Sequence, residues 1–121
     1  MSDAPDQIDQ PFRDTPEVVA ARRRLELLGA VLGACGGYCP VQIEGEIGGE
    51  PFYFRSRGEK WRVWIGEGAN VLADRALFAE ETWRPEGTSD DDARYIAGYM
   101  PEHEALDILR TCIERRMGLA A

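Results

Sequence analysis

VQIEGEIGGEPFYFRSRGEKWRVWI, residues Val41 to Ile65, alternates apolar and polar side chains and is interrupted twice, at Gly48-Gly49 and at Gly58-Glu59. Alternation is the period of a strand. Glycine at the first turn position supplies the positive φ that two-residue hairpin turns need. The stretch therefore reads as three antiparallel strands. The first turn sets Glu44 opposite Tyr53 and Ile43 opposite Phe54. The second sets Arg57 opposite Lys60, Arg55 opposite Arg62, and Tyr53 opposite Trp64. One face then collects Val41, Ile43, Ile47, Phe52, Phe54, Trp61, Val63 and Ile65, and the other Gln42, Glu44, Glu46, Tyr53, Arg55, Arg57, Arg62 and Trp64. A one-residue slip would mix the two sets, so the apolar face is assigned to the core.

On the N-terminal side, Thr15-Pro16-Glu17 has the order of a helix start: a hydroxyl cap, proline at the first helical position and an acid in the first turn. Val18, Ala21, Leu25, Leu28, Leu32 and Cys35 follow at three- and four-residue spacing, which predicts one helix running to Gly36-Gly37. Near the other end, Pro101 opens a helix whose apolar face is Ala105, Leu106, Leu109, Cys112, Ile113 and Met117, with Gly118 as its cap. In between, Leu77–Trp83 reads as a fourth strand, Arg84–Asp92 as a loop, and Ala93–Tyr99 as a fifth strand. Residues 69–79 also admit a short helix. The economical architecture is an α+β two-layer sandwich. An antiparallel sheet of four or five strands, built on the meander, packs against an N-terminal and a C-terminal helix. Residues 1–14, polar and aperiodic, read as a flexible tail, and residues 15–121 as a single domain.

The chain has 121 residues and a formal charge of −8. The excess is uneven: residues 1–16 carry −3 and residues 66–100 carry −5, whereas the meander is neutral. Such a balance disfavours direct nucleic-acid binding, which depends on cations meeting phosphates. No run approaches the roughly 20 apolar residues of a membrane helix, and no apolar leader opens the chain. The expectation is a cytoplasmic protein without a membrane partner. Cys35, Cys39 and Cys112 are an odd set whose spacing suits neither a disulfide framework nor a redox pair. His103 and Cys112 stand about 13 Å apart by helical rise, too far to share one zinc ion. No metal and no cofactor are therefore expected.

Catalytic signals are thin. His103 is the single histidine, flanked by Glu102 and Glu104 in a first helical turn, and no nucleophile motif points at it. Glu86 and Asp90–Asp92 lack the alternating spacing of a calcium loop. The outer sheet face is more informative. It pairs Tyr53 with Trp64 and opposes Arg55 to Arg62, a cross-strand pairing that is locally unfavourable and made of residue types enriched in interface hot spots. Tyr53, Arg55, Arg62, Trp64 and Glu44 are accordingly the candidate binding residues, with no catalytic and no metal residue assigned. A self-satisfied face competes with this reading, because Glu44 lies diagonal to Arg55 and Tyr53 can stack on Trp64 for stability alone.

The segment Gly45 to Gly58 with Trp61, together with Gly98-Tyr99-Met100-Pro101-Glu102 leading into a helix, resembles a hairpin of small uncharacterised phage and prophage proteins. That resemblance covers about a third of the chain. It implies a mobile-element accessory setting, in which small acidic proteins bind host factors, anti-CRISPR proteins among them. The function expected is non-enzymatic binding of a protein partner, with a homodimer through the open face or an edge strand as a further arrangement. The alternatives are a small acidic dimeric chaperone-like protein and a small enzyme using His103 or Cys112.

Overall fold

The computed structural model describes residues 11–37 and 39–119. Helix α1 spans Pro16–Leu27, and the Thr15 hydroxyl accepts from the Val18 amide at 3.2 Å, the N-cap bond its sequence announces. Five strands follow in an antiparallel meander, β1 Val31–Gly37, β2 Val41–Ile47, β3 Glu50–Arg57, β4 Lys60–Ile65 and β5 Leu77–Thr82. Each strand pairs with its neighbours in chain order. Helix α2, Glu102–Arg116, closes the fold. The α+β sandwich built on a meander is therefore present, and β2, β3 and β4 pair in the expected register: Glu44 faces Tyr53, Tyr53 faces Trp64 and Arg55 faces Arg62.

The first helix is shorter than its periodicity suggests. Gly29 adopts φ +101° and turns the chain out of the helix. Its amide donates to the Glu26 carbonyl at 2.9 Å, and the Ala30 amide donates to that of Leu25 at 3.2 Å. These are the two bonds of a Schellman termination, which a left-handed glycine makes cheaply. Leu32 and Cys35 continue the three-residue spacing by coincidence. The VLGACGG stretch, with three glycines in seven residues, becomes edge strand β1, bulged where Gly33 and Ala34 together oppose Glu44. The expected strand over Ala93–Tyr99 is replaced by two short 3₁₀ turns, Asp92–Arg94 and Ile96–Tyr99. The second turn is fastened beneath the β3–β4 hairpin. Buried Ser56 donates its hydroxyl to the Ala97 carbonyl at 2.6 Å, and the Ala97 amide donates to that of Gly58 at 3.0 Å. The local backbone bonds are spent there, so no sheet edge is offered. The fifth strand of the sheet is β1 instead.

Both helices cover one sheet face. Val18, Ala21 and Leu25 from α1 and Ala105, Leu106, Leu109, Cys112 and Ile113 from α2 share one core with all eight apolar-face residues of the meander. Of the tail expected over residues 1–14, positions 1–10 lie outside the described residues. Pro11 bridges to Gly36, and Phe12 is buried in the core. Among the described residues no helix is long and apolar enough to cross a membrane.

Candidate functional site on the outer sheet face

The face turned away from the helices is neither bare nor fully covered. After β4 the chain doubles back through 3₁₀ turns at Ala69–Val71 and Asp74–Ala76, and this loop rests on the outer side of β3 and β4. Trp64, placed on the outer face by its register, is buried there with Ala69 and Ala76, while Tyr53 and Leu72 pack around it. The Tyr53 and Trp64 rings lie 5.8 Å apart, tilted by 37°. Leu72 holds a left-handed backbone, φ +55° and ψ +36°. Its side chain packs against the Trp64 cluster, which offsets a backbone penalty of about 1 kcal/mol.

Two hollows on this face share Leu72 and Arg55 in their linings. The larger, 560 Å³, runs over β1, β2 and β3 and is lined by Val31, Gln42, Glu44, Glu46, Tyr53 and Arg55 among others. The smaller, 290 Å³, is lined by Arg55, Arg57, Gly58, Lys60, Arg62, Trp64 and Leu72. Tyr53 donates its hydroxyl to Gln42 Oε1 on the neighbouring strand. Glu80 on β5 faces Arg62 and accepts from its Nε at 2.7 Å, with Lys60 Nζ 3.8 Å away. The hydrogen bond from Arg62 and the Lys60 charge hold the Glu80 carboxyl below its ordinary range.

Tyr53, Arg55, Arg62, Trp64 and Glu44 thus all belong to one face, but they do not act as one cluster. Arg62 is committed to Glu80. Trp64 is a floor under the loop more than a contact surface. Glu44 lines the larger hollow, and among the described residues it forms no ion pair with Arg55 although it stands diagonal to it. Sequence reasoning left Val31, Leu72 and Lys60 out of the site. Lys60 was recoverable, since its place opposite Arg57 puts it on the outer face. Val31 was hidden by the overlong helix, and no local pattern marks Leu72.

The residues of the enzymatic alternative lie elsewhere. Cys112 is buried in the core, and burial pushes its thiol up to about 11. His103 is exposed in the first turns of α2. Among the described residues no three His, Cys, Asp or Glu side chains converge as a metal ion would need. Comparison with family models, with curated proteins and with solved structures finds no match to this chain.

Proposed function

We propose that this chain is a non-enzymatic binding protein whose outer sheet face receives a protein partner. The observation that carries the reading is the 560 Å³ hollow, walled by β1 and by the loop over Trp64 and holding both apolar and charged side chains. A hollow of this size with a few placed polar groups accepts a ligand-sized group, and an anchoring side chain of a protein partner is such a group. Val31 at its rim is 63% exposed, an apolar side chain available for contact. The non-enzymatic reading is supported by Cys112, whose buried, protonated thiol is a poor nucleophile. The hairpin's resemblance to phage and prophage proteins supports a host factor as the partner.

The test is affinity capture from host lysate with wild type, Val31→Asp and Val19→Asp as baits. Val19 is 52% exposed on α1, away from the sheet's outer face, so it carries the same change of chemistry to another surface. Retention of a partner by wild type and Val19→Asp, with loss of about tenfold or more for Val31→Asp, is the expected result. Equal retention by all three baits contradicts it.

A further inference from the structure

The smaller hollow has a chemistry of its own. Arg55 and Arg62 oppose each other across β3 and β4, and Arg57 and Lys60 form the next outward pair. Opposed side chains start about 5 Å apart, and same-face positions along a strand about 7 Å apart. Four cations therefore stand at the corners of a small rectangle, in a chain whose net charge is −8. The neighbouring strands explain why the cations are unevenly neutralised. On one side β5 supplies Glu80 opposite Arg62. On the other, β2 sets Gln42 beside Arg55, and its pairing stops at Val41–Ser56, before Arg57. Among the described residues neither Arg55 nor Arg57 has an ion pair. The Nε of Arg55 is also buried with no hydrogen-bond acceptor. A carboxylate arriving in the hollow meets the guanidinium of Arg55, which lines it, and supplies the ion pair that Arg55 and Arg57 lack.

We infer that this hollow is a carboxylate-binding subsite, and that its occupant is an extended segment of the partner protein carrying Asp or Glu at positions i and i+2. The inference rests on the outer face being the binding surface and names the partner chemistry it selects. In an extended chain, residues i and i+2 point the same way about 7 Å apart, the spacing between the Arg55 and Arg57 positions. The boundary of the hollow also argues for two carboxylates over a polyanion. Glu59 stands at the hairpin tip, Glu80 on the β5 side and Glu44 with Glu46 beyond Tyr53, so a strand charged at every unit would run into acids at each end.

The experiment is a two-dimensional NMR titration of the full chain, following the backbone amides and the arginine Nε–H signals. The ligands are the capped peptide Thr-Glu-Val-Glu-Thr, its isomer Thr-Glu-Glu-Val-Thr, and a thymidine pentanucleotide. The expected result is saturable shifts of the Arg55 Nε–H and of the Arg57–Arg62 amides with the first peptide. Binding should weaken about tenfold in Arg57→Gln, where one charged hydrogen-bonding group is lost, and by several-fold with the isomer. The exposed Arg57 is replaceable without disturbing the core, and Arg55→Gln is the second variant. Absence of shifts, equal binding of the isomer, unchanged affinity in both variants, or a tighter nucleotide complex each overturns the inference. If the peptide fails while Val31→Asp still abolishes partner capture, the carboxylate subsite is refuted and the binding face stands.

Discussion

Cys112 and Cys35 lie in the core with their thiols raised above the ordinary value of 9.0, burial being the main cause in each. A raised pKa in the folded state means that the unfolded chain releases its proton first as pH climbs. The stability these groups contribute is full below pH 9 and drains away as pH rises toward about 11, the value for Cys112. Urea unfolding followed from pH 7 to pH 11 should show a falling midpoint above pH 9, and a shallower fall in Cys112→Ala. A slope unchanged by the substitution would mean that another group sets the alkaline limit. At the same scale, the register from the glycine turns placed each meander side chain on its correct face. Burial was less legible for Trp64. Its cover comes from a loop whose position depends on the left-handed Leu72 and on glycines at positions 66 and 68, which carry no periodic signal.

Among the elements, β1 is the least expected and is fitted to its neighbour by the absence of a side chain. A Cβ on Gly45 would run into the Val31 carbonyl oxygen and come within 2.7 Å of Phe52 Cζ. The β1 backbone and the Phe52 ring together occupy the place of that side chain. Gly45→Ala should therefore destabilise the fold by about 1–3 kcal/mol, the usual cost of overfilling a packed site, measured as a lowered urea midpoint with an unchanged slope. A neutral substitution would show that β1 is free to move off the sheet. The strand escaped sequence reading because three glycines and a bulge erase its alternation, while Leu32 and Cys35 imitate helical spacing. Gly29 was the available signal, since a left-handed glycine after Leu28 ends a helix more decisively than periodicity extends one. The same limit applies to Ile96–Tyr99, whose apolar residues resemble a strand but whose backbone bonds go to Ser56, Gly58 and Cys39.

At the scale of the whole molecule, the described residues form two α-helices, a five-stranded sheet and a short loop laid on part of the far side. The helices pack on one face, and on the other the loop borders two hollows of different character, where the proposed recognition is placed. In a chain with a net charge of −8, the four cations there form a local basic patch, the electrostatic feature on which the proposed carboxylate subsite relies. The layered fold and which sheet face turns away from the helices were legible from alternation and turn chemistry; how far that face is covered was not. The division of that face was not, because it arises from contacts between residues of β3 and β4 and a loop with no pattern of its own. The most direct test is hydroxyl-radical footprinting of the chain alone and in complex with the captured partner. Val31, Tyr53 and Leu72 should lose reactivity in the complex while Val19 and Leu27, exposed on the helical side, keep theirs. Protection of Val19 and Leu27 with Val31 and Leu72 still reactive would contradict the proposal and place the interface on the helices.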